Sequence, residues 1–389
     1  MNFEFHTAGR IVFGWGQFSR IGELAGRLGR SAVVVASTAG GGRLGELQEL
    51  LAAGGVRAMA TRQHGEPTVT DVDAAVGLAR SQHCEMVIAL GGGSAIDAAK
   101  AAAALLTNGG SAIDYMEVIG KARKITRPAA PWIAIPTTAG TGAEATHNAV
   151  IACREKHFKA SIRSEHLLAA VALVDPELTV TCPPQVTAAA GMDALCQLIE
   201  SHASAAANPM TDPLALEGIA RAGRCLLRAY RNGADRDARE GMSLAALLSG
   251  ITLANAGLGA VHGFASPLGA NFPIPHGVVC AALLPHVMAA NAAALRDESP
   301  QHPALARYAA IGRALVGDAG LDEQAAIDGA IDSVLRLTRE MSIPPLGSFG
   351  LTAGDIPAMV ALACKSNSMR YNPVKLSEGA LAGLLAKAI

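Results

Sequence analysis

The chain has 389 residues, more than one hydrophobic core usually supports, so we expect two domains. Half of its residues are hydrophobic and only 4% are aromatic, which favours helices packed on a sheet over an aromatic-rich β-sandwich. The net charge is -1 and the basic residues form no blocks, so we expect neither nucleic acid nor an anionic membrane as a partner.

The cysteines and the first residues bear on where the protein works. Its seven cysteines are scattered and form no CxxC pair, so we expect reduced thiols in the cytoplasm. The opening "MNFEFHTAGR" has no basic start followed by an apolar run, and we expect no signal peptide. Residues 243–264 alone resemble a membrane span, but Asn255 and His262 favour one long helix buried in a helical domain.

Strands alternate with helices in the first half of the chain. Strands are predicted at Ser31–Ser37, 85–94, 131–142, 149–153 and 170–174, with helices at Leu44–Ala53 and 95–106. The first three strands each end in a Gly- or Thr-rich loop, and the last two should close this half. The alternation predicts an α/β domain with a mostly parallel, doubly wound sheet.

The strand pattern stops at Pro183, and Ala-rich amphipathic stretches follow, which predicts an all-α second domain. Breaks between helices are expected at Asn208-Pro209, Pro267, Pro273, Pro275 and Pro344-Pro345. We place the boundary within residues 176–184, which gives domains of residues 1–180 and 181–389. No linker separates them, so we expect close packing around a cleft.

Two loops at predicted strand ends have the chemistry of a dinucleotide site. In "GGGSAIDAAK" a strand passes into a helix, and the glycines at 91–93 let backbone N–H groups approach a pyrophosphate at the positive end of that helix. The loop "IPTTAGTGAEAT" supplies hydroxyl groups for ribose and amide groups. Neither loop matches GxGxxG or the Walker pattern, so each alone is also compatible with a tight turn. Together they favour a dinucleotide site.

Two histidines and a carboxylate form a possible metal set. His262 and His276 lie in "VHGFASPLGANFPIPHG", and with Asp193 they would hold a divalent metal while leaving positions open for substrate and water. Gln197 follows Asp193 by four residues on the same helix face, where it is a poorer ligand than His. Spacing alone leaves a second interpretation open, in which the histidines are hydrogen-bonded core residues.

Motifs along nearly the whole chain resemble the group III, iron-containing alcohol dehydrogenase family. In order they are "FGWG", "GGGSAIDAAK", "IPTTAGTGAEAT", "DPELT", "GMDAL", "NPMTD", "VHGFASPLG", "IPHG" and "LLPHVM". The resemblance implies an N-terminal dinucleotide-binding α/β domain with a C-terminal helical domain, which agrees with the element pattern.

The resemblance also implies roles for individual positions. Residues expected to bind the cofactor are Ser37, Gly91, Gly92, Gly93, Ser94, Asp97, Thr137, Thr138, Thr141 and Lys159. Asp193, His262 and His276 fall on metal-ligand positions. Two positions depart from the family pattern: Gln197 stands where a fourth ligand His is usual, and Ser266 where a proton-relay His is usual.

Three interpretations of Gln197 compete. Glycerol dehydrogenases resemble this family and bind zinc through an Asp and two His, so three ligands would suffice. Alternatively, Gln197 ligates through its amide oxygen or a water. Maleylacetate reductases also resemble the family but work without metal, in which case His262 and His276 would act as acid and base. We expect a retained Fe²⁺ or Zn²⁺, because the three stronger ligands are present.

The residue after the first long strand bears on cofactor choice. NAD-preferring relatives usually carry a carboxylate there, which repels a 2′-phosphate, whereas this chain has Ser37. Arg43 or the Gly-rich turn before it could receive the phosphate. We therefore expect NADP(H) to be accepted, alongside NAD(H).

These expectations combine into an NAD(P)-dependent alcohol dehydrogenase or aldehyde reductase, a cytoplasmic homodimer acting on a small alcohol or aldehyde. The proton would travel through a ribose hydroxyl, a water or Ser266. One rival is a metal-independent oxoacid reductase with Arg370 or Lys365 as the basic anchor of the substrate. The other is a nucleotide-binding protein without catalysis.

Overall fold

The chain divides into two compact units. The computed structural model describes residues 2–38, 41–156 and 158–389. The first unit is His6–Thr181, and the second combines residues 2–5 with Cys182–Ile389. The chain therefore crosses between the units twice.

The first unit is built on a parallel sheet of six strands with a separate antiparallel hairpin. The strands, in chain order, are β1 (Ile11–Phe13), β2 (Ser31–Ser37), β3 (Arg57–Gln63), β4 (Met86–Gly91), β5 (Trp132–Pro136), β6 (Asn148–Cys153), β7 (Phe158–Arg163) and β8 (Val171–Val174). The sheet order is β1-β8-β5-β4-β2-β3, and β6 pairs with β7 in the hairpin. Because the strand order reverses between β2 and β4, the carboxyl ends of these strands mark the place where a doubly wound sheet binds its ligand.

Helices cover both faces of the sheet. They are α1 (Ile21–Gly26), α2 (Leu44–Ala53), α3 (Val69–Ser81), α4 (Gly93–Asn108) and α5 (Ala112–Tyr115). Alternate residues of β2 enter different cores, since Val33 packs with α3 and α4 while Val34 packs with α1 and α2. This burial on both faces explains why the central strands are continuous apolar runs. The parallel sheet and its helices confirm the predicted α/β class.

One predicted strand has a different partner. Residues 149–153 form a strand as predicted, but this strand, β6, pairs antiparallel with β7 and lies outside the parallel sheet. The burial pattern gives the reason, because Ala149 and Ile151 are buried while Val150 is exposed. Such a strand has only one apolar face and suits a hairpin that covers the unit, not a strand with helices on both sides.

The second unit is helical in its described residues, as predicted. Its helices are α6 (Pro184–Ala203), α7 (Thr211–Arg231), α8 (Arg236–Ala256), α9 (Ala260–Asn271), α10 (His276–Glu298), α11 (Pro303–Val316), α12 (Glu323–Glu340), α13 (Ile356–Ala363) and α14 (Glu378–Ala386). Helix α6 packs against α7, α8 and α10, and α9 packs against α10. Helix α10 is long and apolar enough to cross a membrane, but 72% of its most apolar stretch is buried inside the protein.

The expected long helix over residues 243–264 is instead two helices. α8 ends at Ala256, α9 begins at Ala260, and the two axes differ by 101°. Gly257 sits at the break with a φ of +71°, and a Cβ there would lie 2.7 Å from the ring of Tyr371. The bend places His262 in the first turn of α9 and not at the end of a long helix.

Pro267 does not break the chain where a break was expected. It lies inside α9, which continues to Asn271. Phe264 and Leu268 on either side are fully buried, so tertiary packing holds the helix together although proline removes one backbone hydrogen bond. The other expected breaks fall between helices.

Candidate metal and cofactor sites

Predicted cofactor residues meet at the carboxyl ends of β2, β4 and β5. Close approaches link the two loops and the end of β2: a Cβ added at Gly91 would lie 2.6 Å from the Cβ of Ser37, one at Gly92 3.1 Å from Thr138 Oγ1, and one at Gly93 2.8 Å from Thr141 Cγ2. The amide of Thr137 also donates to the carbonyl of Gly91 at 3.0 Å. These glycines therefore allow three strand ends to converge at the switch point.

The start of α4 fits a pyrophosphate. Its N-cap is Gly92, and no side chain caps the helix in the part of the chain that the structure describes. The half-buried Gly93 and Ser94 form its first turn. Unpaired N–H groups and the helix dipole at such an end attract an anion.

Asp97 and Lys159 hold contacts of their own beside this turn. Asp97 accepts a hydrogen bond from the amide of Val150 at 3.0 Å, which ties the β6–β7 hairpin to α4. Burial raises the pKa of Asp97 even though Lys100 opposes the shift. Lys159, on β7, forms an ion pair with Glu66 at 2.6 Å. The hairpin is thus anchored to the rest of the first unit through both residues.

The residues expected to bear on a 2′-phosphate lie near the end of β2. Ser37 is half-buried there, while Arg43 pairs with Glu46 at 2.8 Å and Glu177 at 3.7 Å. The Gly-rich turn also proposed as a receiver includes residues 39–40, which lie outside the described residues. Arg43 would have to release Glu46 and Glu177 in order to bind a phosphate.

Lys100, on α4, is a buried charge that the chain itself satisfies. Its Nζ donates to Thr146 Oγ1 and to the carbonyl of Asn148, both at 2.7 Å, and lies 3.7 Å from Asp97 Oδ1. Burial lowers the pKa of Lys100 to about 8, although Asp97 and Glu144 oppose the shift. Burial also raises the pKa of Glu144 to about 7.

In the second unit, three helices bring the predicted metal ligands together. Asp193 comes from α6, His262 from α9 and His276 from α10. Asp193 Oδ1 lies 3.3 Å from His262 Nε2 and 3.5 Å from His276 Nε2. The side chains of Asp193 and His262 are 3% and 8% exposed, whereas that of His276 is 47% exposed. The group is therefore buried on two sides and open to solvent at His276.

Glu200 fixes the orientation of His262. Its carboxylate accepts from His262 Nδ1 at 2.6 Å and from the backbone amide of Val261 at 2.7 Å. Because Nδ1 donates to Glu200, the lone pair of the neutral His262 ring, the form that binds a metal, lies on Nε2, which faces Asp193. A carboxylate behind a ligand histidine is the usual support of a metal site.

Gln197 turns its amide nitrogen toward Asp193. Gln197 Nε2 donates to Asp193 Oδ2 at 3.2 Å, and Ser249 Oγ donates to Gln197 Oε1 at 2.8 Å. An amide oxygen in place of the nitrogen would repel the carboxylate. In this arrangement Gln197 holds the second oxygen of Asp193, while its own lone pairs are directed to Ser249.

Sequence reasoning missed two thiols at this site. Cys280 Sγ lies 3.7 Å from the Nε2 atoms of both His262 and His276, and Cys196 Sγ lies 3.9 Å from His262 Nδ1. The signal was in the spacing, because Cys280 follows His276 by four residues and therefore shares its helix face.

The electrostatics of the group call for positive charge at its centre. Burial alone would raise the pKa of Asp193, but His276 and His262 hold it well below its usual range. Burial would lower the pKa of His262, but Cys280, Asp193 and Glu200 raise it well above its usual value. Oxygen and nitrogen donors this close together suit a divalent cation, which supplies the same positive charge. The residues thus fit a metal.

The remaining predicted residues lie on exposed surface. Ser266 is exposed on α9, one turn after His262. Lys365 and Arg370 are also exposed, and the Arg370 guanidinium stacks on the ring of Tyr371 at 4.7 Å. Such exposure is typical of basic residues on a solvated surface.

Comparisons with known proteins cover almost the whole chain. Residues 8–176 match the family described as iron-containing alcohol dehydrogenase, and residues 187–389 match the C-terminal domain of the Fe-containing alcohol dehydrogenase family. Alcohol dehydrogenase 4 of Schizosaccharomyces pombe is 39% identical over 310 residues, covering 79% of this chain and 70% of that protein. Long-chain-alcohol dehydrogenase 1 of Geobacillus thermodenitrificans is 34% identical over 392 residues, covering 96% and 94%.

A solved structure shows the same fold over its full length. The crystal structure of a 1,3-propanediol oxidoreductase superposes with a TM-score of 0.92 at 31% identity, covering 100% of both chains. The relatives compared are alcohol dehydrogenases or oxidoreductases of alcohols, so neither a metal-independent oxoacid reductase nor a non-catalytic protein is favoured.

Proposed function

Since this chain belongs to the iron-containing alcohol dehydrogenase family, we infer that it transfers a hydride between NAD(P) and the carbinol carbon of an alcohol, or reduces the corresponding aldehyde. The family implies a nicotinamide cofactor and a divalent metal such as iron. The observation that carries the proposal is the convergence of Asp193, His262 and His276 from three helices.

The metal ligands would be these three side chains. Lewis-acid polarisation of the substrate oxygen is the chemistry that a divalent metal supplies in such a set. Asp193 contributes the negative charge, and Glu200 keeps the lone pair of His262 directed to the group. Gln197 acts as a positioning residue through Asp193 Oδ2. Substrate would approach from the side of His276, the exposed member of the set.

The cofactor would bind at the switch point of the first unit. Backbone N–H groups at Gly92, Gly93 and Ser94 would hold the pyrophosphate at the N-terminus of α4. The hydroxyls of Thr137, Thr138 and Thr141 would bind the nicotinamide side, with Asp97 and Lys159 nearby. These side chains orient the nicotinamide, and orientation together with exclusion of water is the protein's contribution to a hydride transfer.

Acceptance of NADP(H) is proposed from Ser37, a neutral residue at the end of β2. Ser37→Asp should raise KM for NADP on the order of tenfold while leaving KM for NAD nearly unchanged, because the new carboxylate repels only the 2′-phosphate. Ser37→Asn is the matched neutral control. Equal effects of Ser37→Asp on both cofactors would remove this residue from the phosphate site.

Ser266 is proposed as one route for the proton, since it is exposed one turn from His262. If it relays the proton, Ser266→Ala lowers kcat and alters its pH profile without changing metal content. An unchanged rate and profile would exclude Ser266 and leave a ribose hydroxyl or water as the route.

We also propose that the enzyme is a cytoplasmic homodimer acting on small alcohols or aldehydes. The absence of CxxC spacing and the free thiols suit a reducing compartment. Light scattering after size-exclusion chromatography tests the dimer: a mass near 79 kDa, twice the 39.6 kDa of one chain, is expected, and a monomer mass would contradict it.

The decisive test measures metal and turnover on the same preparation. Untagged protein should carry about one iron or zinc per chain by mass spectrometry and should oxidise NAD(P)H with an aldehyde. Chelation should remove both properties, and adding the metal back should restore them. Turnover that survives complete removal of the metal would reject the metal-dependent mechanism and support acid–base roles for the two histidines. Cofactor binding without turnover on any aldehyde would support the non-catalytic alternative.

A further inference from the structure

We propose that Cys280 is a fourth metal ligand, which completes an aspartate, two-histidine and thiolate site that prefers zinc to iron. This inference rests on the metal site of the proposed function and names the donor that completes it. Asp193, His262, His276 and Cys280 each offer one ligand atom, and all four atoms lie within 4.8 Å of one another.

The distances between donor atoms match a tetrahedron around one ion. With the usual zinc bond lengths, two nitrogen or oxygen ligands lie about 3.4 Å apart, and a sulfur and a nitrogen about 3.6 Å. Asp193 Oδ1 lies 3.3 Å and 3.5 Å from the two histidine Nε2 atoms. Cys280 Sγ lies 3.7 Å from each of the same two atoms. Four edges of the tetrahedron are therefore already present in the chain.

The backbone fixes Cys280 in this position. His276 and Cys280 occupy successive turns of α10 and face the same side. Cys280 is fully buried, so its sulfur is held by packing among the other donors. Glu200 leaves the lone pair of His262 on Nε2, the atom that faces Cys280. The sulfur thus meets electron-pair donors, an arrangement that a cation stabilises.

Two other side chains are weaker candidates for the fourth ligand. Gln197 directs its oxygen to Ser249 and its nitrogen to Asp193, so it offers no lone pair to the centre. Cys196 Sγ approaches His262 at Nδ1, the ring atom that is bound to Glu200, and not at Nε2. Cys280 is the thiol on the metal side of the ring.

A thiolate changes which metal the site prefers. Thiolate and imidazole ligands together favour zinc, whereas the commoner oxygen and nitrogen sets also suit iron. On binding, Cys280 releases its proton to the buffer and its sulfur forms the bond, with no change of oxidation state. Catalytic zinc can expand to five ligands, so a fourth protein ligand does not exclude substrate.

Cobalt(II) substitution tests the proposal directly, because a thiolate bound to cobalt gives an intense near-ultraviolet charge-transfer band. The full-length protein is stripped of metal under reductant, which keeps the neighbouring thiols reduced, and loaded with one equivalent of Co²⁺. We expect the band in the wild-type protein and in Cys196→Ala, the matched thiol control, and its loss in Cys280→Ser. Zinc affinity of Cys280→Ser should fall on the order of 100-fold, with iron affinity much less affected.

Each outcome has one meaning. Stoichiometric cobalt without the band in the wild-type protein overturns Cys280 as a ligand while leaving the three-ligand site intact. A band lost in Cys196→Ala and kept in Cys280→Ser assigns the thiolate to the wrong cysteine and equally overturns the proposal. Failure of the wild-type protein to bind any divalent metal rejects the metal site of the proposed function, on which this inference rests. If Cys280→Ser does not fold, a band in both the wild-type and the Cys196→Ala proteins still supports Cys280, and its absence from the wild-type protein still overturns the proposal.

Discussion

Lys100 in the first unit and Asp193 in the second are both buried charged residues. They differ in where the positive charge of their surroundings comes from. Around Lys100 the hydroxyl of Thr146 and the carbonyl of Asn148 point to a cation that the chain already carries. Around Asp193, the nitrogens of His262 and His276 face the carboxylate, and among the described residues no lysine or arginine supplies a permanent positive charge there.

The difference separates a structural cluster from a binding site. Both groups stabilise positive charge, but a lysine carries it permanently, whereas a carboxylate with two imidazoles can take it up as protons or as a bound metal ion. Substitutions in the first cluster should therefore change stability and leave metal content alone. Substitutions around Asp193 should lower metal content and leave the stability of the metal-free protein unchanged.

The largest effect is expected for Asp193→Asn. Replacing the only carboxylate in the three-ligand set should abolish metal binding and lower kcat/KM on the order of 10⁴-fold, or about 5 kcal/mol of transition-state stabilisation. The melting temperature of the variant should match that of the metal-free wild-type protein. Retention of metal and turnover by a folded Asp193→Asn protein would contradict the assignment.

Lys100→Met should destabilise the fold by about 4 kcal/mol, because it leaves buried oxygens and carboxylates without their cation. Metal content per folded chain should stay at the wild-type value. Lys121→Met is the matched control, since Lys121 is 81% exposed and its ion pair with Asp114 should contribute less than about 1 kcal/mol. Urea unfolding of the three proteins measures the difference. A loss of metal in folded Lys100→Met would erase the distinction between the clusters.

Glu144 gives the buried group around Lys100 a pH dependence of its own. Its ordinary pKa of 4.5 rises to about 7 in the fold, so between these values the folded chain binds more protons than the unfolded chain. The free energy of unfolding therefore falls as pH rises from 4.5 to 7, by about 3 kcal/mol. The contribution is complete below pH 4.5 and is lost above pH 7.

Glu144→Gln should remove this slope. The difference in unfolding free energy between pH 5 and pH 7.5 should be smaller in the variant than in the wild-type protein by up to about 3 kcal/mol, because the amide does not titrate. Comparing the two proteins at each pH cancels the titration of all other groups. Identical differences in both would show that Glu144 does not titrate in this range.

The smallest effect is expected at Gln197, which supports Asp193 from outside the donor set. Gln197→Ala should weaken metal binding by about 10- to 100-fold, or about 2 kcal/mol, because Asp193 Oδ2 loses its amide donor. Ser249→Ala should act in the same direction and less strongly, since it removes only the anchor of Gln197. A complete loss of metal in Gln197→Ala would instead make Gln197 a ligand.

Sequence patterns predicted the elements that are either wholly apolar or regularly amphipathic. β2 and α2 have the predicted bounds, because a run of valines that passes into a Gly-rich turn indicates a buried strand and a Leu-rich helical period indicates a helix. β3 was not predicted, since "RAMATRQ" at the sheet edge has mostly half-buried and exposed side chains. The bend after Ala256 depended on the contact of Gly257 with Tyr371, which no local pattern encodes.

The sequence identified the residues of the candidate site whose side chains are common metal ligands. Asp193, His262 and His276 lie close together in the structure. Spacing alone left hydrogen-bonded core histidines as an alternative, and the family resemblance implied the set; the role of these residues as metal ligands stays a prediction. Glu200 and Cys280 were not foreseen. The role of Glu200 depends on how α6 and α9 pack, which the sequence does not show. Cys280 shares a helix face with His276, so its spacing did carry a signal.

Glu200 binds the amide of Val261 at the start of α9 with the same carboxylate that holds the ring of His262. The contact that caps the start of α9 therefore also orients His262, and it forms without a bound metal ion. Metal binding should then cause little loss of conformational entropy, because the ligands are already ordered. Small zinc domains differ, since they fold only when the ion binds. Hydrogen–deuterium exchange at Val261 should accordingly be slow in both the metal-free and the metal-loaded protein.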